Sequence, residues 1–522
     1  MESPGPGPIP VEQITVNPDQ SLKYTSTRSA IWMGSSSLII QFLTMITTAV
    51  LARLLEPALF GLLTMAMIVL NILGLVAELG LAKAIIQRKQ LEERHLSTTF
   101  WANIVVALGL AGIAFIIAPF AAAFFDEQAI HPILQALGLT FFLGSFGAVH
   151  TALLQKSMEF RTVSIIEIIA QLTYGILVII LALLGYGLWS LVIGVLIKSI
   201  VSSALPWFFQ PWRPKLIFDR QAFRELFGFG ANLMGIRMVV YLRDNIGNAV
   251  VGKTLGPAPL GFYNLAFNLT MVPGSKLASV LNRVVFPAFS SIQSEEEKLR
   301  RGYLQTVKYV AALTFPLSVG LIVVGPELIK VVYGPKWLSA VPLLQIMGVS
   351  GVLNALPALS GGIIEARGRP GLELKLAMIS YPVYFCLLLI GLNWGLVGIA
   401  WATSINKLIF IVAGIILSCY VINLPLRAYV AAVSASVIGV ISMALVVLGW
   451  RSLALHVLRY SDLLLLGSSV ILGAGVYFVV LLILRERALI EICKLFWAIA
   501  RPPSNTLQPL PGLPSSQSSD LN

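Results

Sequence analysis

The sequence predicts an all-α integral membrane protein with about fourteen transmembrane helices. Three observations support this fold class: a high content of apolar residues, their arrangement in long runs, and an unequal distribution of Lys and Arg between alternate loops. Of the 522 residues, 57% are hydrophobic and 11% are charged, whereas a soluble domain has about 25% charged residues. Together with a mean hydropathy of +0.86, this composition excludes a water-soluble globular fold.

Fourteen apolar runs are long enough to cross the hydrocarbon core of a bilayer as helices, which takes about 20 residues. Their continuity indicates helices rather than barrel strands, which alternate in polarity over about ten residues. The predicted spans are residues 29–51, 60–80, 98–119, 133–154, 163–184, 188–209, 226–251, 260–282, 304–325, 340–364, 373–392, 396–420, 428–449 and 462–484.

The loops between these spans differ in their content of basic residues. With the N-terminus in the cytoplasm, 25 of the 36 Lys and Arg fall in cytoplasmic segments or at the cytoplasmic borders of the spans, six in the opposite loops and five deeper inside the spans. Cytoplasmic loops are enriched in Lys and Arg, so the sequence predicts a multi-pass protein with both termini in the cytoplasm. The formal charge of +12 follows from this bias, and no nucleic-acid partner is predicted.

The two ends of the chain are polar and predict no folded domain. Residues 1–24 are rich in Pro and polar side chains and lack the basic and apolar regions of a signal peptide. Residues 487–522 are predicted to form a cytoplasmic tail, disordered from about residue 502, where Pro and Ser dominate. Because no nucleotide-binding, metal-ligand or hydrolase motif occurs between them, neither an enzymatic activity nor a cofactor is predicted.

An internal repeat relates two hairpins that are 200 residues apart. The segment Ala49–Leu62 (AVLARLLEPALFGL) matches Ala249–Phe262 (AVVGKTLGPAPLGF) without gaps, and Arg53 corresponds in charge to Lys253. Each segment ends one predicted helix and begins the next, so the match includes turn residues as well as apolar ones. Arg53 and Lys253 are expected to fix the geometry of these turns or to contact lipid headgroups.

The repeat predicts a division of the spans into six, six and two helices. We predict an N-lobe at residues 25–212, a C-lobe at residues 213–425 and an extra helix pair at residues 426–486, which is expected to pack outside the lobes. Halves with an even number of spans keep the same orientation in the membrane. This parallel layout is typical of transporters that rock two bundles around a central site.

The turn A-R-x-L-x-P-x-x-F/L-G at Ala52–Gly61, followed by a helix that ends ELGLAKA at Glu78–Ala84, carries a family resemblance. It resembles the polysaccharide exporters of the MOP flippase superfamily, in particular the Wzx-type, colanic-acid-exporter-like branch, over about residues 25–485. The resemblance implies a MATE-like fold in the bacterial inner membrane. It also implies translocation of an undecaprenyl-diphosphate-linked oligosaccharide by alternating access, for exopolysaccharide, O-antigen or capsule synthesis. A polysaccharide polymerase or export machinery is a further partner that this resemblance leaves open.

Charged residues inside spans are costly and usually face a cavity or a partner. The seventh span carries a polar stripe on one helix face, with Arg243 beside it. In the resembled family the first two helices of each half line the central cavity, and Arg or Lys there would neutralise phosphate oxygens. The predicted substrate-binding cations are Arg237, Arg243, Lys276, Lys198 and Lys407. The predicted polar lining residues are Gln41, Thr44, Asn71, Tyr241, Asn245, Asn248 and Asn268.

Structural roles remain open for several of these charges. Arg243 and Asp244 could pair with each other, and Arg237 could extend to the headgroups. Coupling to H⁺ or Na⁺ is also left open. The carboxylates considered for it are Asp244, Glu78 and Glu167.

Two other functions compete with oligosaccharide translocation. A small-molecule or drug antiporter of the same fold would favour an acid-lined cavity, but the bases inside the spans outnumber the acids. A membrane-embedded glycosyltransferase or polymerase would need a long outer loop with clustered catalytic groups. The outer loops of this chain are short, and only Asp126 and Glu127 lie together in one of them.

Overall fold

The computed structural model describes residues 21–77, 85–86, 88, 91–227, 231–271, 274, 289, 295–458 and 460–484. Within these ranges the regular structure is entirely helical, which confirms the predicted all-α fold. The helices are α1 Ser21–Leu54, α2 Pro57–Ala77, α3 Glu93–Phe125, α4 Ile130–Lys156, α5 Phe160–Leu183, α6 Leu188–Phe209, α7 Arg220–Phe227, α8 Ala231–Leu255, α9 257–271, α10 Glu296–Val323, α11 Gly325–Leu328, α12 Val341–Val352, α13 Leu356–Ala366, α14 Pro370–Gly391, α15 Gly395–Val421, α16 Leu426–His456 and α17 Asp462–Ile483.

Eleven stretches of the described residues are long and apolar enough to cross a membrane. One of them, Gly371–Val421, contains both α14 and α15. Helix α8 is outside this set because it carries Arg237, Arg243, Asp244 and Lys253. Its 25 residues nevertheless extend about 37 Å at a rise of 1.5 Å per residue, enough to span the apolar core. With α8 and α9 included, the long helices correspond to the predicted spans.

The tenth predicted span, residues 340–364, differs from a single helix. It consists of α12 and α13, which are separated by a turn at residues 353–355. Pro357 lies in the first turn of α13, where its missing N–H costs nothing but where a continuous helix would lose a hydrogen bond. Pro316 and Pro382, by contrast, lie inside the continuous helices α10 and α14.

The molecule has a hairpin end and a linker end. The hairpin end is where α1 turns into α2 and α8 into α9, and the linker end is where residues 210–219 join α6 to α7. The linker is held against the start of α3: the Trp101 indole donates to the Lys215 carbonyl at 2.8 Å, and the Asp219 amide donates to Thr98 Oγ1 at 2.9 Å. The linker therefore packs as part of the N-lobe.

The buried apolar residues divide differently at the two ends. At the hairpin end one large cluster crosses between the lobes and includes Ala52 and Met65 together with Val251 and Trp337. Toward the linker end the clusters stay within one lobe: one surrounds Phe100 in the N-lobe, and another joins the C-lobe to the extra helix pair. Among the described residues, the lobes thus share a core at the hairpin end and have separate cores toward the linker end. The lobe boundaries at residues 212 and 425 stay a prediction.

The extra helix pair packs on the C-lobe. Helix α16 lies against α10 and α17, and the Tyr477 hydroxyl donates to the Ala312 carbonyl at 2.9 Å. At the hairpin end Arg451 pairs with the nearly buried Glu327 at 2.7 Å, and Lys330 pairs with Asp462 at 2.7 Å. These contacts fix the pair to the segment between α10 and α12.

Candidate functional site

Helix α8 lies at the contact between the lobes, where it packs against α2. The Tyr241 hydroxyl donates to the Ile68 carbonyl of α2 at 3.3 Å, and the Asn71 side chain approaches the same hydroxyl. Tyr241 and Asn71 were both predicted to line a cavity, and they come from different lobes. The structure brings them together across the seam between the lobes.

The polar stripe on α8 continues toward the hairpin end as a ladder of amides. Asn245 donates to the Tyr241 carbonyl at 3.1 Å, and Asn248 donates to Asn245 Oδ1 at 3.3 Å. Asn248 is 4% exposed, and its Oδ1 has no hydrogen-bond partner among the described residues. A buried acceptor without a partner is costly, so this atom is available to a donor from a ligand or from water.

Arg243 and Asp244 form an ion pair with each other. The Arg243 Nε–Asp244 Oδ1 distance is 2.8 Å, and the Arg243 guanidinium lies 5.9 Å from the centroid of the Phe410 ring. Glu373 and Tyr381 of α14 are close enough to act electrostatically on the same guanidinium. Pairing was one of the alternatives left open by the sequence, and it leaves Asp244 half exposed beside the cation.

Lys407 lies close to this pair but has no carboxylate within 4 Å among the described residues. Its ammonium is 4.3 Å from the centroid of the Phe267 ring and 3.1 Å from Met271 Sδ, both on α9. An aromatic face and a thioether are weak partners for a desolvated charge. Asp244 and Arg243 both act on Lys407 electrostatically, with opposite signs. Arg243, Asp244 and Lys407 are here called the C-lobe centre, and Lys407 is its cation without a close carboxylate.

Lys198 has a different environment in the N-lobe. Its ammonium donates to Gln171 Oε1 at 2.7 Å and lies 5.6 Å from the centroid of the Tyr174 ring. Glu167, one turn before Gln171, acts on it electrostatically. The three partners belong to α5, whereas Lys198 belongs to α6. The structure thus places Lys198 and Glu167, two predicted site residues, in a contact between neighbouring helices of one lobe.

Several residues next to the C-lobe centre had no signal in the sequence. Tyr263 of α9 and Tyr384 of α14 hydrogen-bond to Thr403 Oγ1 at 2.8 and 3.0 Å. Thr403 gives its own proton to the Ile399 carbonyl, so both tyrosines act as donors. A Cβ at Gly247 of α8 would lie 2.6 Å from each tyrosine oxygen. Only glycine fits there, and four helices meet directly beside the charged cluster.

The other predicted residues contribute less. Gln41 and Thr44 are partly exposed on α1, where Thr44 Oγ1 donates to the Ile40 carbonyl at 2.7 Å. Asn268 is exposed on α9 and donates to Asn264 Oδ1 at 2.6 Å. Lys276, Glu78 and the side chain of Arg237 lie outside the described residues.

Comparison with known proteins identifies relatives over most of the chain. The chain is 32% identical over 359 residues to the teichuronic acid biosynthesis protein TuaB of Bacillus subtilis, covering 68% of this chain and 74% of that protein. It is 29% identical over 407 residues to the lipopolysaccharide biosynthesis protein WzxC of Escherichia coli, covering 78% and 82%. It is also 26% identical over 331 residues to the succinoglycan biosynthesis transport protein ExoT of Rhizobium meliloti, covering 63% and 67%.

Solved structures share the fold. The lipid II flippase MurJ matches with a TM-score of 0.71 at 18% identity, over 88% of this chain and 99% of MurJ. A multidrug resistance MATE transporter of the MOP superfamily matches with a TM-score of 0.58 at 16% identity, over 74% and 94%. The profile of the family described as "Polysaccharide biosynthesis protein" covers residues 50–342. The chain therefore belongs to this family and has the MOP fold.

Proposed function

We propose that this member of the polysaccharide biosynthesis protein family flips a lipid-linked oligosaccharide, joined to its polyprenyl lipid through a diphosphate, from one leaflet of the membrane to the other. The relatives named above act in teichuronic acid, lipopolysaccharide and succinoglycan biosynthesis. A further relative, from Haloferax volcanii, is described as a probable low-salt glycan biosynthesis flippase. Each of these relatives is named for the biosynthesis of a glycan, and the glycans differ. The proposal therefore extends to the class of cargo and not to one polymer.

The observation that carries this proposal is Lys407 of the C-lobe centre, which has no carboxylate within 4 Å among the described residues. Holding a lysine away from water without a carboxylate partner is costly, and among the described residues the ammonium of Lys407 has an aromatic ring and a sulfur as its close partners. A diphosphate would supply the missing negative charge, and Arg243 could bind its oxygens bidentately. A drug antiporter for cationic cargo would need a carboxylate without a basic partner instead, so Lys407 supports the flippase over that alternative.

The distribution of the cores supports alternating access. The lobes are joined by a common core at the hairpin end and have separate cores toward the linker end. Two bodies packed in this way can separate at the linker end without exposing the shared core. We assign the hairpin end to the outer face of the bacterial inner membrane and both termini to the cytoplasm, because Lys and Arg are enriched in the linker-end loops. Cargo would then enter from the cytoplasmic leaflet.

Ion coupling is included in the proposal through Asp244. Its carboxylate pairs with Arg243 and acts electrostatically on Lys407, so it competes with a phosphate for both cations. Protonation of Asp244, or binding of Na⁺ to it, would release these cations for the cargo. No cofactor takes part, and contact with a polysaccharide polymerase or export machinery would follow release of the cargo on the outer side.

The test uses a cell in which surface polysaccharide depends on this protein. We expect Arg243→Ala combined with Lys407→Ala to abolish the polymer and to leave the lipid-linked precursor in the cytoplasmic leaflet, with normal amounts of the protein in the membrane. The matched control, Lys298→Ala combined with Arg301→Ala, removes two exposed cations of the C-lobe that pair with Glu295 and Glu297. The control should export normally. Normal export by the first double variant would exclude the C-lobe centre as the diphosphate site.

A further inference from the structure

Three cations at the hairpin end reach across the seam between the lobes. Arg53 of α1 donates through Nε to the Val332 carbonyl at 3.1 Å and through Nη2 to the Val331 carbonyl. Lys253 of α8 pairs with Asp126 at 2.7 Å, and Lys336 pairs with Glu56 at 3.3 Å. The sequence had suggested turn geometry or lipid headgroups for Arg53 and Lys253. Both residues instead join one lobe to the other.

The contacts of Arg53 and Lys253 are reciprocal. The two residues occupy equivalent positions in the repeat, and each binds the segment between the third and fourth helices of the opposite lobe. Asp126 ends α3 in the left-handed conformation, with φ of 56°, and Gly334 beside Arg53 has φ of 98°. Both segments therefore turn sharply at the point where the cation of the opposite lobe contacts them.

The backbones beneath these cations also interlock. A Cβ at Gly61 would lie 1.8 Å from the Pro257 oxygen, and a Cβ at Gly261 would lie 2.2 Å from the Pro57 oxygen. Each glycine thus contacts the residue that begins the equivalent helix of the other lobe. The seam is closed by the same contact made twice, and the cations lie at its rim.

Half of the basic residues in the hairpin-end loops lie on the seam between the lobes. Membrane proteins have few Lys and Arg in their outer loops, and this chain has six in the hairpin-end loops. Three of these six, Arg53, Lys253 and Lys336, lie on the seam. None of the three is deeply buried with its partner: the side chains of Asp126 and Glu56 are 77% and 70% exposed. Bonds to such exposed partners are weak and can be exchanged for a stronger anion.

We propose that Arg53, Lys253 and Lys336 form a second phosphate-binding subsite at the outer mouth of the cavity. While the lobes are joined, the three cations bind carbonyl and carboxylate oxygens of the opposite lobe. When the lobes separate at the hairpin end, these bonds break and the cations face the opening. A diphosphate that arrives from the C-lobe centre then replaces the lost partners.

The same cations cannot bind both the opposite lobe and the cargo. A ligand that binds one of two conformations better shifts the equilibrium toward it, so a diphosphate at this subsite stabilises the open mouth. Cargo thereby favours its own release to the outer face, whereas an empty transporter closes again. This inference rests on the flippase function proposed above and adds the exit step.

Each of these cations has two proposed roles: it pairs across the closed seam, and it binds the diphosphate when the seam opens. The experiment separates these roles by comparing substitutions of the cation with substitutions of its acidic partner. Asp126→Asn breaks the ion pair and keeps the cation, whereas Lys253→Gln breaks the same pair and removes the cation. Glu56→Gln and Lys336→Gln give a second pair of variants. In a background without Cys386, Cys419 and Cys493, a cysteine introduced by Val250→Cys, which lies partly buried against the shared core, reports opening of the mouth through labelling by a membrane-impermeant maleimide from outside.

All four variants are expected to increase labelling, because each weakens the closed mouth. Export should separate them: Asp126→Asn and Glu56→Gln should retain the polymer, while Lys253→Gln and Lys336→Gln should each lower it about tenfold, the effect of losing one charged hydrogen bond. Equal export by each cation variant and its partner variant would overturn the subsite. Unchanged labelling in all four would overturn the role of the pairs in closure. If the unmodified protein moves no precursor, the function proposed above is wrong instead.

Discussion

Each lobe carries a lysine at a nearly equivalent depth of its sixth helix, and the two lysines have different hydrogen-bond partners. Lys198 in the N-lobe donates to Gln171 and lies near Glu167. Lys407 in the C-lobe contacts the Phe267 ring and Met271 and has no close carboxylate among the described residues. The duplicated chain has thus kept the cation in both halves. A carboxylate acts on each lysine from a distance, Glu167 on Lys198 and Asp244 on Lys407, but only Lys198 has a strong hydrogen-bond acceptor. In the N-lobe the same residue type links two helices.

The first helices of the two lobes also differ in charge, and the C-lobe helix again carries the more charged residues. The membrane segment of α1 has hydroxyl and amide groups and one charge, Arg53 at its end, whereas α8 adds Arg237, Arg243 and Asp244 to the equivalent Lys253. The proposed binding residues are therefore concentrated in the C-lobe, and Ile68 and Asn71 of α2 contact Tyr241 from the N-lobe. The hairpin-end seam is closer to symmetric, because the contacts of Gly61 with Pro257 and of Gly261 with Pro57 are equivalent there.

The largest expected effect breaks the comparison between the two lysines. Lys407→Ala should lower export of the polymer at least about tenfold, since about 1.4 kcal/mol of binding free energy corresponds to a factor of ten. Lys198→Ala should lower it about twofold or less, because it removes a hydrogen bond between helices whose net contribution is about 1 kcal/mol. Polymer per cell, normalised to the amount of protein in the membrane, is the measurement. Equal losses would mean that both lobes bind the diphosphate.

A smaller effect is expected from a substitution that places a carboxylate near Lys407, as Glu167 lies near Lys198. In Phe267→Glu the new side chain would replace the ring that now lies 4.3 Å from the Lys407 ammonium and would pair with it. Export should fall, by about fivefold if the ion pair competes with cargo for about 1 kcal/mol. Phe267→Leu, which removes the ring without adding charge, is the control and should retain most of the export. Full activity of Phe267→Glu would show that the charge of Lys407 is not what the cargo needs.

The sequence predicted the fold well because its signals are local and strong. Long apolar runs and loop charges gave the helices, and the turn at Ala49–Leu62 gave the repeat. The site was predicted less completely. Spacing predicted that Arg243, Asp244 and Asn245 lie on one helix, but it could not tell that Lys198 donates to an amide oxygen whereas Lys407 meets a ring and a sulfur. Their partners, Gln171 and Phe267, lie on other helices, and packing between helices decides which side chains meet.

The smallest expected effect concerns the part of the molecule in which the lobes are alike. Gly61→Ala and Gly261→Ala each place a Cβ within 2.2 Å of a backbone oxygen of the other lobe, and overpacking of this kind costs about 1–3 kcal/mol. Each variant should lower the unfolding temperature of the purified protein by a few degrees, and the two losses should be similar. Gly109→Ala on α3, where a Cβ would meet nothing within 4 Å, is the control and should be neutral or slightly stabilising. A large loss from one glycine and none from the other would mean that the seam is not closed symmetrically. The asymmetry between the lobes would then include the hairpin-end seam as well as the C-lobe centre.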